Sequence, residues 1–316
     1  MNSRVKELDF LKCIFIILMI IFHLVYIGDS YPYAKQVVYT FHMSAFLVIS
    51  GYLNNVNKKI KAFGRSLLWI FIPYVCMETG YVIMSAILPV REKVTELSAG
   101  LLLHKAIIAP MGPYWYLHTL MLCNASYYLM YRMTNKWKGI TRFILLGILL
   151  YGLSELKLLT FANAIYFLAG VAIRQSGNNI IRIFQPSLLA LFPLIILCYF
   201  PENLNRGTLA GVTITYLVIS LLLAIYTYLT EQIKRILLYI GSNTLVILLF
   251  SPVFTILSKL YLPLFAFDAT GICFTIVSVV FVICGCFGVT YIFDRLHISP
   301  YFLGKKQMLP PYSSAD

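Results

Sequence analysis

The sequence predicts an all-α, polytopic membrane protein of about ten transmembrane helices, with both termini in the cytoplasm. Three observations predict it. Of the 316 residues, 60% are hydrophobic and 12% charged, whereas soluble domains are roughly half apolar and a quarter charged. Folding in water does not hide that apolar share, so a cytosolic enzyme, a disordered chain and a disulfide scaffold are all disfavoured. The apolar runs extend well past ten residues without the alternation of barrel strands, so helices satisfy the backbone in lipid. Basic residues then recur in every second loop.

The runs lie at 8–28, 36–53, 66–88, 114–131, 140–154, 160–174, 186–200, 208–229, 238–259 and 268–293. The first has no small-residue cleavage site and reads as a span, not a signal peptide. The fifth and sixth are short for a span of about 20 residues, and Glu155 and Lys157 separate them. With the N-terminus inside, inner segments hold 17 of the 25 Lys and Arg, outer segments hold 7, and Lys12 lies within the first span. That asymmetry is the positive-inside pattern, and an even number of spans fits it. It also accounts for the net charge of +13 without invoking nucleic acid. The longest connection, 89–113, is outer and carries both signs of charge and His104. It is either a surface excursion or a functional loop. No repeat or second domain is visible. The expectation is one transmembrane domain over 1–303 and a short polar cytoplasmic tail over 304–316. The seven cysteines fall in apolar runs without metal-ligand spacing. They are expected as small buried hydrophobes, and no metal site is expected.

Polar groups inside spans are costly and ask for a reason. Lys12 and His23 are eleven residues apart. Eleven steps of about 100° return within about 20° of the same helix face, displaced by roughly 16 Å. Two readings stand side by side. Lys12 snorkels to the inner headgroups while His23 bonds a neighbouring helix, or both face one interior cavity. His42 lies near the start of the second span, at the expected depth of His23. Arg65, at the inner mouth of the third span, suits phosphate and equally suits the positive-inside pattern. Glu78 is the acid deep within a span, so it is paired or protonated. Trp115, Tyr116 and His118 sit at the outer end of the fourth span, as an interfacial belt or as part of a site.

These segments resemble the membrane-bound acyltransferase family 3, the O-acetyltransferases of surface glycans, nodulation factors and antibiotics. ELDFLKCIFIILMIIFH, with a basic residue, ten intervening residues and a histidine, resembles the family's opening signature. FHM…FLVISGYL, GRSLLWIFIPY, GPYWYLHTLM and GSNTLVILLFSPVF resemble four further motifs in the expected order. The resemblance covers nearly the whole chain. It implies that His23 is the essential histidine, that Lys12 stands where relatives often carry arginine, and that Arg65 is the basic residue before the third span. Three departures stand out. Lys12 loses bidentate phosphate geometry, Ser44 replaces an expected proline, and Ser251 replaces a histidine found in many relatives.

The expected activity is transfer of an acyl group, acetyl foremost, from acyl-CoA to a hydroxyl of a cell-surface glycan or its lipid-linked precursor. His23 is the expected general base, with an unperturbed imidazole suited to neutrality. His42 and Glu78 are its expected orienting partners. Lys12 and Arg65 are expected to hold the donor, and Trp115, Tyr116 and His118 the acceptor. Acetyl-CoA enters as a substrate, with no tightly bound cofactor. The expected partners are acetyl-CoA, the saccharide acceptor and membrane lipid, in the inner (plasma) membrane of a bacterium. A glycan or lipid transporter or flippase is the competing class, since intramembrane Lys, His and Glu also suit a carrier. Carriers often show similar halves, which are not visible here.

Overall fold

Each of the ten apolar runs falls on helix in the computed structural model, which describes residues 5–87, 94 and 96–309. Arg4, most of the outer connection's charged stretch (Arg91 and Lys93 included) and tail residues 310–316 lie outside the described residues. The helices are α1 (Lys6–His23), α2 (Val25–Ser30), α3 (Pro32–Leu53), α4 (Ile60–Ile87), α5 (Ala99–Ile107), α6 (Trp115–Met133), α7 (Gly139–Glu155) and α8 (Phe161–Gln175). They continue with α9 (Ile180–Phe184), α10 (Leu191–Tyr199), α11 (Leu209–Tyr228), α12 (Glu231–Ser242), α13 (Thr244–Leu257), α14 (Ile272–Arg295) and α15 (Ser299–Phe302). Among the described residues there is no strand.

Four helices, α3, α4, α11 and α14, are long and apolar enough by themselves to cross a membrane. A fifth crossing arises if α12 and α13, bent by 79° at Asn243, count as one broken span. The first run is also broken. Leu24 adopts an extended backbone (φ −66°, ψ 107°) and separates α1 from α2, so the run expected at 8–28 is two helices. Outward faces are apolar. On α7, Ile140, Ile144 and Ile148 are 67%, 54% and 61% exposed at helical spacing. Such a stripe is a liability in water and an ordinary surface in hydrocarbon. The cysteines divide. Cys13, Cys123 and Cys286 are buried as expected, whereas Cys76, Cys273 and Cys284 are exposed on these outward faces.

The chain forms two compact units: residues 1–46, 178–297 and 307–316, and residues 47–177 and 298–306. In the first, α1 is central and packs on α11, α12, α13 and α14. Phe10, Phe15, Ile16 and Ile20 are buried on it. Gly241 on α12 permits the approach, because a Cβ there would overlap the Asp9 carbonyl oxygen. The expected polar tail packs as far as Met308, which is buried and donates its amide to the Asp294 carboxylate at 2.8 Å.

In the second unit α4 packs on α5 and α6, and α6, α7 and α8 pack on one another. The end of α3 crosses α8 at backbone distance. A Cβ on Gly51 would overlap the Phe167 carbonyl oxygen, and one on Gly170 would overlap the Val48 carbonyl oxygen. Small residues let helices meet this closely where no hydrophobic effect drives association. Gly170→Val is therefore expected to cost at least about 1–3 kcal/mol through overpacking, read as a lowered thermal midpoint in detergent. An unchanged midpoint would mean that the crossing is not tight.

Candidate active site

The break at Leu24 makes His23 the last residue of α1. Its ring is half-buried, and Nδ1 lies 2.7 Å from the Met19 carbonyl oxygen. A carbonyl only accepts, so Nδ1 carries the proton, and the basic lone pair of the neutral ring falls on Nε2. His42 repeats the arrangement on α3. It is 3% exposed, and its Nδ1 donates to the Val38 carbonyl oxygen at 2.7 Å. Tyr39, one turn before His42, stands between the two imidazoles. Its ring centroid is 6.3 Å from that of His23 and 5.1 Å from that of His42. Two histidines distant from any motif-scale spacing are thus joined through one tyrosine.

Lys12 shares α1 with His23 and is not a bare cation. Its Nζ lies 2.6 Å from the Asp9 carboxylate, with the side chains 20% and 7% exposed. Asp9, the acid one turn earlier, is a site neighbour that the spacing of Lys12 and His23 does not signal. Tyr39, Lys35 and Arg206 are further neighbours without a motif to mark them. Lys35 Nζ lies 5.6 Å over the Tyr39 ring, and Arg206 and His23 both act electrostatically on His42. Arg206 lies between α10 and α11, far away in the sequence. Read one residue at a time, it was one more basic residue of an outer loop.

The other expected site residues belong to the second unit. Glu78 is fully buried and accepts the Met111 amide at Oε1, 2.6 Å away. It thereby ties α4 to the segment entering α6. His118 is buried on α6 and donates from Nε2 to the Ile107 carbonyl oxygen at 2.7 Å. Its ring faces that of Tyr74 at 6.1 Å, and the Tyr74 hydroxyl donates to the Ala106 carbonyl at 2.9 Å. Both line a largely apolar cavity of about 410 Å³ with Leu67, Phe71, Met121 and Leu122. Tyr116 is buried, with its hydroxyl 3.0 Å from the Ser50 hydroxyl. Trp115 packs edge-on against it at 6.3 Å. Arg65 is exposed in the second turn of α4. Among the described residues, no group of three or more His, Cys, Asp or Glu is placed to hold a metal.

An all-helical protein with outward apolar faces, in which a half-buried imidazole with a fixed tautomer lies on the helix central to its unit, belongs to the class of membrane proteins. Residues 5–291 match acyltransferase family 3, described as an acyltransferase domain, and the chain belongs to that family. It is a membrane acyltransferase. No curated protein and no solved structure matches it.

Tyr39 touches both imidazoles with its ring, whereas its hydroxyl is 3.4 Å from the Phe22 carbonyl oxygen, at the outer limit of a hydrogen bond. Tyr39→Phe is expected to retain acyl transfer within a few-fold. Tyr39→Ala should lose about tenfold or more through misplaced imidazoles. Equal activities of the two variants, measured in reconstituted membranes, would remove Tyr39 from the site.

Proposed function

We propose that the chain transfers an acetyl or similarly short acyl group from acyl-CoA to a hydroxyl of a cell-surface glycan or its lipid-linked precursor, with His23 as general base. The observation that carries this reading is the fixed tautomer of His23. The Nδ1–H donated to the Met19 carbonyl at 2.7 Å leaves Nε2 to take a proton.

In the proposed step, Nε2 accepts the proton of the acceptor hydroxyl as its oxygen attacks the thioester carbonyl. A C–O bond forms and the C–S bond breaks. The imidazolium returns its proton to the departing thiolate, so the products are the ester and free CoA. His42 and Tyr39 hold the local geometry around that ring. We read the ten apolar helical runs as ten spans with both termini cytoplasmic, on the strength of the 17 to 7 division of basic residues. Lys12 then lies toward the cytoplasm, where acyl-CoA is made, and His23 lies farther out. Their separation of roughly 16 Å along the helix is within reach of an extended pantetheine arm. The family membership and the loop charges support an inner-membrane location in a bacterium.

His23→Ala is expected to abolish glycan O-acylation while the protein stays folded in the membrane, read by mass spectrometry of the glycan and by thermal melting. Normal acylation in that variant would refute the assignment. Lys12 needs a paired test because of Asp9. Lys12→Ala strands a buried carboxylate, at a cost on the order of 3 kcal/mol, so lost activity alone says little about the donor. Lys12→Arg should keep both stability and activity. The double variant Asp9→Asn with Lys12→Ala should recover stability but not the affinity for acyl-CoA. Recovery of both would assign Lys12 a purely structural role.

A further inference from the structure

The cavity between α4, α5 and α6 lies wholly within the second unit and is not used by the chemistry assigned to His23. Its volume of about 410 Å³ falls in the range of small-ligand pockets. One wall follows α4 from Gly64 to Tyr74, and the facing wall follows α6 from His118 to Ala125. At 1.5 Å per residue the α6 wall is roughly 10 Å long. Leu68, Phe71 and Ile107 on the lining are exposed, so the cavity opens on an outward apolar face.

Two polar side chains reach this space. The Tyr74 hydroxyl is taken up by the Ala106 carbonyl. His118 is 6% exposed and only half satisfied. Its Nε2 donates to the Ile107 carbonyl oxygen at 2.7 Å, so the lone pair of the neutral ring lies on Nδ1. Ile107 is the ring's hydrogen-bond partner, and none of the described residues donates to Nδ1. The cavity therefore combines a hydrocarbon lining with one acceptor in want of a donor. A buried acceptor left unmatched is costly, and hydrocarbon cannot supply the donor.

That combination specifies an occupant. The lining suits an alkyl chain, and Nδ1 asks for a donor at the end of that chain. Phosphodiesters and carboxylic esters offer only acceptors, whereas a hydroxyl donates. His118 stands in the first turn of α6, at one end of the wall, so a hydroxyl there leaves its chain to run along α6 toward Ala125. We propose that the cavity binds a single-chain lipid alcohol whose hydroxyl donates to His118 Nδ1 and whose chain lies between α4 and α6. The site stands whether or not His23 is the base of the transfer reaction.

The test uses the full chain in phosphatidylcholine nanodiscs and a decan-1-ol analogue with a diazirine on its chain. After photolysis, peptide mass spectrometry locates the label. Unlabelled decan-1-ol and 1-methoxydecane, which has the chain and the oxygen but no donor, compete with it. Labelling should concentrate on α4 and α6 beside the cavity, and decan-1-ol should compete about tenfold better than the ether. Gly64→Phe places a ring at one end of the cavity, where a Cβ meets nothing within 4 Å, and should reduce this labelling severalfold. Equal competition by alcohol and ether overturns the role of Nδ1. Label spread evenly over the outward helices, or unchanged in Gly64→Phe, overturns the site, because bulk lipid then fills the cavity.

Discussion

In hydrocarbon a buried polar side chain has no water as an alternative partner, so it must find an acceptor or donor within the protein. Three histidines of this chain meet that demand in one way. The rings of His23, His42 and His118 each donate to a backbone carbonyl at 2.7 Å. Buried hydroxyls do the same, as with Ser44 to Thr40, Thr215 to Gly211 and Thr290 to Cys286. The helix backbone thus absorbs most of the polarity that composition alone would leave stranded. A carbonyl can only accept, so each such bond also sets the imidazole tautomer. The requirement that stabilises the bundle is the one that fixes which nitrogen of His23 carries the proton.

The same demand explains the state of the charged groups. Lys12 is matched by Asp9 on its own helix, and Glu78 takes a backbone amide. Each has a partner within the protein. Arg142 differs, since its guanidinium is only partly matched by the Tyr131 carbonyl and ring.

Interruptions of helices matter as much as the helices. Leu24 ends α1 just after His23, so the imidazole sits at a helix terminus and not in mid-helix. That terminus favours positive charge, and the imidazole becomes an imidazolium during the proposed step. The Asn243 break lies between Gly241, which touches Asp9 on α1, and the apolar helix α13. Breaks of this kind in a membrane protein are tolerated where protein or a cavity, not lipid, surrounds the backbone.

Much was legible in the sequence because it depends on composition and local spacing. The helical class, the placement of the ten runs on helix, the location of Lys12 and His23 on one helix and the family motifs all follow from residues close together in the chain. The break at Leu24 was not legible, because leucine is a good helix former and packing decides its backbone; that at Asn243 carries a local turn signal in Gly241-Ser242-Asn243 but sits inside a continuous apolar run. The partners were not legible either. Tyr39 carries no sequence sign of lying between two imidazoles, and Asp9 looked like an ordinary helix-start acid. Arg206 reaches His42 across more than a hundred and sixty residues. By itself the sequence determined the solvent, the secondary structure and the chemical types available, because hydrophobicity and helical period are local properties. The tertiary structure alone decided which polar groups meet and which nitrogen of each histidine is basic, because in lipid a polar group's state is set by whichever neighbour packing supplies.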